Sequence, residues 1–404
     1  MSKINNLHEY LMIQKLILLV TILMTTISCS REMEDSINDT TERVKQYLDG
    51  VVKKEIPGIQ YLVLNKEGPI FEYNGGWRDV KNDLPVTPNT TFMMNSSTKP
   101  IVALAILQLV QKGALSLDDS LSLYFQEHPY GDKVKIRHLL NQTSGISNPA
   151  PLNWFHLLEE HDTHNENKSL RAILVKNNEL DFEPGEKYQY SNISYWLLGK
   201  VIEKISGGEY TAYIENNIFV PLGIKDEEMG FLIHNPTLQA KEYQKRFNLI
   251  HGVMRMILAN KYIGGSEKSW KQINYVYHNG AAYGGLYGNA RGIAKLLKDQ
   301  LNGESNILSA EMKDHFYSQQ KNSDNASIET TLGWHTGLLK NNRYFGKPGG
   351  GIGSHSNIRI YPKKGIATIF FVNQINISAD SINEFSDFLD NEFLDSMYVY
   401  EVAN

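Results

Sequence analysis

The stretch Phe92–Leu109, FMMNSSTKPIVALAILQL, constrains the chain more than any other. From Ile101 onward it is a long apolar helical pattern, and a helix of that kind has to be buried. The chain must therefore build a core around it. Ser96 and Lys99 stand three residues apart at its start, and positions i and i+3 share one face of a helix. A hydroxyl and an ammonium group then meet against apolar surface. Desolvation disfavours the charged lysine. A neutral lysine can help deprotonate a serine, which makes Ser96 a candidate activated nucleophile. The S-x-x-K spacing alone occurs by chance, so its meaning depends on the rest of the chain. Pro100 fits the first helical turn, which needs no amide donor, and Gly113 closes the helix after Lys112.

The chain has 404 residues, enough for a large core and for two lobes that share a site. Hydrophobic residues make up 41% and charged residues 21%, as expected of a globular protein. A formal net charge of −5 gives no reason to expect nucleic-acid binding. Lys15 precedes Leu16–Ile27, an uncharged apolar run of twelve residues. A membrane-spanning helix needs roughly 20, so a run this short after a positive charge reads as a secretory signal core. It ends at Cys29, the chain's one cysteine, and the mature body can hold no internal disulfide. The segment resembles a bacterial lipoprotein signal, in which that cysteine is lipidated. Thr26 stands where leucine is usual, and the other reading is a plain signal peptide. Met12 offers an alternative start to Met1.

Residues 30–38 read as a polar tether. Val44, Tyr47, Leu48, Val51 and Val52 follow helical spacing, and Pro57-Gly58 ends that helix. Ile59–Leu64 and Ile70–Tyr73 read as strands joined by a turn at Lys66-Glu67-Gly68. Residues 147–183 read as loops and one helix forming a rim, and residues 234–282 resist assignment. Ile193, Trp196, Leu197, Val201 and Ile205 make an amphipathic helix ended by Gly207-Gly208. Near the C-terminus, Ile358–Tyr361 and Ile366–Val372 read as a hairpin of central strands, followed by a helix at about 381–393. Strands at both ends with helices between imply an α+β sandwich. Its antiparallel sheet is assembled from the N- and C-terminal segments, with a helical lobe inserted.

Three short elements carry chemistry: Ser96-Ser97-Thr98-Lys99, Tyr190-Ser191-Asn192, and Lys347-Pro348-Gly349 followed by Gly350-Gly351. A serine for acyl transfer needs a base, and a lysine or a tyrosine can serve when a neighbouring cation lowers its pKa. An amide such as Asn192 orients substrate. A second lysine on a strand can hold a carboxylate. Glycines let a strand edge approach a ligand, and a backbone amide there can donate to an oxyanion. Ser97 and Thr98 lack a lysine at +3. His161 and His164 read as loop histidines, and His138 as a half-buried, hydrogen-bonded residue. His335 and His355 lie near the third element and are equally consistent with packing or with lining a cleft.

In this order and context the three elements resemble the serine β-lactamase and penicillin-binding-protein superfamily. The likeness leans to class C β-lactamases, D-Ala-D-Ala carboxypeptidases and esterases. Lys112-Gly113-Ala114-Leu115-Ser116-Leu117-Asp118-Asp119, Ile136-Arg137-His138-Leu139-Leu140 and Thr143-Ser144-Gly145 add to it. The resemblance covers about residues 40–375. It implies a β-lactamase/transpeptidase-like fold, with a sheet lobe at about 39–95 and 284–400 and a helical lobe at about 96–283. It implies Ser96 as the acylated nucleophile. Lys99 and Tyr190 would transfer protons, with Tyr190 the base for deacylation. Asn192 would position substrate, and Lys347 would bind a carboxylate and support a tyrosinate. Gly349 would border the substrate, and the amides of Ser96 and Gly350 would form the oxyanion hole. No metal or other cofactor is expected. Gln142, where histidine is frequent, and Gly292, where aspartate is frequent, depart from the family pattern. Both read as structural and away from the three elements.

The implied function is an exported serine hydrolase of the cell envelope, anchored through Cys29. It would cleave a β-lactam, a peptidoglycan-derived D-amino-acid peptide or an ester. The alternative is a non-hydrolytic sensor of cell-wall peptides or penicillin on the same fold.

Overall fold

A computed structural model describes residues 36–53, 56–150, 154–246, 259–375 and 379–401. The apolar leader, Cys29 and most of the expected tether lie outside the described residues. The chain divides into Gly50–Ser386 and a second unit made of the segments up to Asp49 and from Asp387 onward.

The strands are, first, β1 (Gly58–Asn65), β2 (Pro69–Asp79), β3 (Leu84–Pro85) and β4 (Phe92–Met93). The middle of the chain supplies β5 (Phe155–Leu157), β6 (Met229–Gly230), β7 (Glu242–Lys245), β8 (Ile263–Glu267), β9 (Trp270–Ile273) and β10 (Val276–His278). The last third gives β11 (Tyr287–Gly288), β12 (His335–Leu339), β13 (Asn342–Gly350), β14 (His355–Tyr361) and β15 (Ile366–Val372). The main sheet has the order β12-β13-β14-β15-β1-β2-β3. Its closure joins the two ends of the chain: β1 and β15 pair antiparallel from Ile59↔Val372 to Asn65↔Ile366. Both strands are buried almost throughout, which is why their sequences run apolar without alternation. The antiparallel sheet built from N- and C-terminal segments is therefore present.

The helices are α1 (36–53), α2 (Lys99–Gln111), α3 (Ile136–Leu140), α4 (Glu166–Lys176) and α5 (Asn192–Ser206). They continue with α6 (Tyr210–Ile214), α7 (Ala290–Leu301), α8 (Ala310–Tyr317) and α9 (Ala379–Glu401). α7 packs on β1 and β15, while α2 contacts α5, α6 and α8. Every residue of α2 from Lys99 to Leu109 is buried, as the apolar run demands. Ser96 itself stands in a 3-10 turn, Asn95–Thr98, just before the α-helix, rather than on it. α1 begins at residue 36, inside the expected tether.

The segments without a clear periodicity form short pieces. Residues 155–176 contribute β5 and α4, and β5 pairs with β10 through Phe155↔His278. β7, β9 and β8 make a separate three-stranded sheet. In the second unit, Val44, Leu48, Leu389 and Phe393 are buried. There Arg43 bonds Glu392 at 3.1 Å, and the Tyr47 and Phe388 rings lie 4.5 Å apart.

Candidate active site

The 3-10 turn before α2 sorts the three adjacent hydroxyls. Ser97 Oγ donates to the Lys347 carbonyl at 2.7 Å and lies 2.8 Å from Ser356 Oγ. Thr98 Oγ1 accepts from the Leu286 amide at 3.2 Å. Of the three hydroxyls, Ser96 is the one that meets both the Tyr190 hydroxyl and the Lys99 amine. Its Oγ lies 2.6 Å from the Tyr190 hydroxyl and 3.0 Å from Lys99 Nζ. Tyr190 and Asn192 reach it because Ser191 caps α5, accepting from the Ser194 amide, so the helix begins where the site needs it.

Lys99 is fully buried, and its Nζ has two further partners: Asn192 Oδ1 at 2.8 Å and the Tyr283 carbonyl at 2.6 Å. Both are acceptors. A neutral amine has two N–H groups and one lone pair, so these acceptors take both hydrogens and leave the lone pair towards Ser96. Burial first, and the nearby charge of Lys347 second, hold Lys99 well below the ordinary lysine range. The geometry and the electrostatics both favour a lysine that accepts the serine proton.

Tyr190 differs from a resting tyrosinate. Burial pushes its phenol up, the hydrogen bond to Ser96 pulls it partly back, and the neighbouring Tyr188 raises it further. The two amines over its ring, Lys99 Nζ at 4.8 Å and Lys347 Nζ at 5.0 Å, are themselves driven towards neutrality by burial. A cation that is only partly present cannot hold a phenolate. The resting site therefore contains a phenol that can relay a proton.

Lys347 sits on β13, only 3% exposed, and burial pushes it down to about 7. Its Nζ meets His335 Nε2 at 2.7 Å, across the register His335↔Gly346 of β12 and β13. His335 is thus part of the site through Lys347, and the charge of Lys347 followed by burial holds its imidazole well below the usual range. The glycines after Lys347 permit close approach. A Cβ on Gly349 would collide with the Met94 carbonyl and Ser356 Oγ and would lie 3.0 Å from the Ser96 amide nitrogen. Ser96, Asn192 and Gly350 line one cavity of about 140 Å³, together with Phe155, His278 and Tyr283. Larger hollows exist elsewhere, such as one of about 730 Å³ between α8 and β13, but none of the three elements lines that one.

The structure brings Ser96, Lys99, Tyr190, Asn192, Lys347, Gly349 and Gly350 to one place. It corrects the reading of Gln142, which does touch the second element. Its Oε1 accepts from the Ser191 amide, its carbonyl accepts from the Gln189 amide at 2.8 Å, and its Nε2 donates to the Leu139 carbonyl at 3.1 Å. Gln142 braces the loop that carries Tyr190, and its φ of 63° marks a tight turn. Gly292 is away from the site. A Cβ there would come within 2.8 Å of the Glu228 carbonyl, which excludes a larger residue. His138 is half-buried, and its Nδ1 accepts from the Lys135 amide at 3.2 Å. His161 and His164 stack with His156 beside β5, and no group of three or more His, Cys, Asp or Glu residues is arranged to hold a metal among the described residues. Sequence reading missed Phe155, His278 and Tyr283 as cavity walls. They arrive on short strands and turns with no periodic signal.

A family model described as Beta-lactamase matches residues 40–382. Protein flp of Staphylococcus aureus (strain N315) is 33% identical over 194 residues, spanning 46% of this chain and 37% of that protein. Penicillin-binding protein 4* of Bacillus subtilis (strain 168) is 29% identical over 278 residues, covering 67% of this chain and 58% of its own length. In both cases the match spans less than two thirds of the relative. Among solved structures, D-amino acid amidase from Ochrobactrum anthropi SV3, complexed with L-phenylalanine amide, superposes with a TM-score of 0.74. It is 20% identical, with 89% of this chain and 99% of that one covered, a likeness of fold. No helix among the described residues is long and apolar enough to cross a membrane.

Proposed function

The chain belongs to the Beta-lactamase family, and from that premise we propose that it is an exported serine hydrolase working through an acyl-enzyme on Ser96. The observation that carries this reading is the Lys99 amine. Its two hydrogens are committed to Asn192 and Tyr283, and its remaining valence faces Ser96 Oγ at 3.0 Å. In the proposed sequence Lys99 takes the Ser96 proton as Oγ bonds to the carbonyl carbon. The carbonyl electrons move to oxygen and are held by the amides of Ser96 and Gly350. The bond to the leaving group then breaks, and Tyr190 delivers the proton to the departing nitrogen or oxygen. A water then loses a proton through Tyr190 and Lys99 as its oxygen bonds to the acyl carbon. The bond to Ser96 Oγ breaks, and Oγ takes that proton back as the acid leaves.

The substrate is an amide, a β-lactam or an ester with a small acyl portion, in keeping with a cavity of about 140 Å³. Lys347, the one lysine on the glycine-lined strand β13, supports a substrate that carries a carboxylate. The reading predicts that the purified chain turns over at least one of an activated ester, a chromogenic cephalosporin and a D-Ala-D-Ala peptide. Ser96→Ala abolishes that turnover, and an active Ser96→Ala variant sinks the assignment. Stable labelling of Ser96 by penicillin without turnover of any of the three would favour the non-hydrolytic sensor instead.

A further inference from the structure

From the cavity wall, which Asn95 and His278 line, runs a chain of polar side chains that the chemistry above does not use. Asn95, the residue before the nucleophile, adopts φ 49°, a left-handed conformation that is uncommon outside glycine. Its side chain holds it there. Asn95 Nδ2 donates to Ser354 Oγ at 3.2 Å and points to the Met93 carbonyl at 3.4 Å. With the amide nitrogen so engaged, Asn95 Oδ1 is the acceptor for His278 Nε2 at 3.3 Å. Ser354 Oγ in turn donates to Glu242 Oε1 at 2.7 Å. Every donor points the same way, from His278 through Asn95 and Ser354 to Glu242. Such a line polarises along its length.

The four residues come from β10, the turn before α2, the β13–β14 turn and β7, and none is more than 8% exposed. Two of these elements form the nucleophile's surroundings. Asn95 sets the turn that presents the Ser96 amide. Ser354 ends the turn that begins at Gly350, and β7 also holds that turn through Gln244 Nε2, which donates to the Ile352 carbonyl at 2.9 Å. The bare backbone of Gly351 lies against Asn95, where a Cβ would come within 2.5 Å of Oδ1. The two proposed oxyanion donors are thus clamped together by one buried line that ends on a carboxyl.

We propose that Glu242 is a positioning residue for acylation, which through Ser354 and Asn95 locks the Ser96 and Gly350 amides into one arrangement. The proposal rests on the acyl-enzyme reading. Glu242 acts in its neutral form. Its Oε2 is buried without a hydrogen-bond partner, and among the described residues no cation pairs with a carboxylate there. Burial, opposed by the Ser354 hydrogen bond, pushes it up to about 7. Ionisation would place a negative charge behind the developing oxyanion, so acylation slows as Glu242 loses its proton.

The phenols around it and the His278 imidazole are held away from neutral pH. Tyr287 on β11 and Tyr275 before β10 are phenols raised by burial, and burial pushes His278 down to about 3. Lys241, the residue before Glu242, is paired with Asp79 and Glu267 at 3.0 and 2.9 Å. His355 follows Ser354 on β14. Lys347 also titrates near 7, so the assignment rests on the difference between wild type and variant rather than on one profile.

The test is the rate of Ser96 acylation by fluorescent penicillin or fluorophosphonate, followed on the full chain across pH with the adduct located by mass spectrometry. Glu242→Gln keeps a neutral acceptor and should stay within about threefold of wild type at about pH 6, then exceed it by about threefold or more at about pH 8.5. Glu242→Ala should be slower by about tenfold or more throughout. Asn95→Gly keeps the left-handed turn but cuts the line, and should be slowed to a similar degree even if Glu242→Ala fails to fold. Wild-type rates in Asn95→Gly overturn the proposal, as does a Gln variant as slow as the Ala variant with a wild-type pH profile. A wild type that never forms an adduct on Ser96 overturns the acyl-enzyme reading itself, a different result from labelled wild type with unresponsive variants.

Discussion

At the scale of single residues, the site works by withholding charge. Among the described residues no carboxylate pairs with Lys99, and burial with the nearby charge of Lys347 makes its ammonium form the costly one. A base must be neutral to act, so activity is present above the Lys99 pKa and falls as pH drops through it. The rising limb of the acylation profile should therefore lie well below the ordinary lysine value of about 10.4. Lys99→Arg replaces the neutral amine with a permanent cation and so removes the base. Acylation of Ser96 should fall by roughly 10²-fold or more, and an arginine variant with near-normal rates would show that Lys99 only fills space. Glu242 predicts a stability effect. Its folded pKa rises from 4.5 to about 7, so its contribution is complete below about 4.5 and is lost as pH rises through about 7. The loss is on the order of 3 kcal/mol. Urea unfolding should show Glu242→Gln more stable than wild type at about pH 8 and equal to it at about pH 4.5. Equal stability at both would mean the carboxyl is not held neutral.

The residues that the sequence revealed are those whose meaning is local. Ser96 and Lys99 are three apart, Tyr190 and Asn192 two apart, and Lys347 precedes a glycine run. Those that stayed hidden act across folded distance. Sequence reading places His335 beside the third element but leaves packing and lining a cleft both open, because the residue meets Lys347 only through the β12–β13 register. Glu242 reaches Asn95 only through Ser354. Gln142 was read as remote because nothing in the chain announces that its side chain turns back to the Ser191 amide.

At the scale of elements, α2 and the β14–β15 hairpin were legible because long apolar or β-branched runs have one physical solution, burial. β5 and β10 were not. Each is three residues long, and the pairing Phe155↔His278 joins segments far apart in sequence. The contact that most limits the site at this scale is between β13 and the turn before α2. Gly349 lets the strand backbone lie against the Met94 carbonyl and the Ser96 amide. Gly349→Ala must push the two apart, because one of the colliding atoms is backbone. Activity should drop on the order of 10²-fold, with the folded content, read by circular dichroism, preserved. Full activity in that variant would show that the strand and the turn need not touch.

At the scale of the whole molecule, the sheet is closed by its two ends. β1 enters between β2 and β15, so the catalytic strand β13 is supported through β14 and β15 by the first strand of the chain. The joining of N- and C-terminal strands in one sheet could be read from sequence, since those strands are apolar runs, whereas the six short strands described between residues 155 and 278 could not. The leader could be read only as chemistry: a charge, a short apolar run and Cys29. We propose that Cys29 tethers the protein to the envelope. Cys29→Ala should move it from the membrane fraction to the soluble fraction, and unchanged membrane association would count against lipidation.

The acyl-enzyme on Ser96 is the claim on which the rest depends. Its most direct measurement is the intact mass of the full chain after brief exposure to penicillin or a fluorophosphonate, followed by peptide mapping. The account predicts one added acyl or phosphonyl group, on the peptide that contains Ser96, formed slowly in Lys99→Arg and never in Ser96→Ala. Turnover of substrate with no adduct on Ser96, or an adduct that persists in Ser96→Ala, would contradict it.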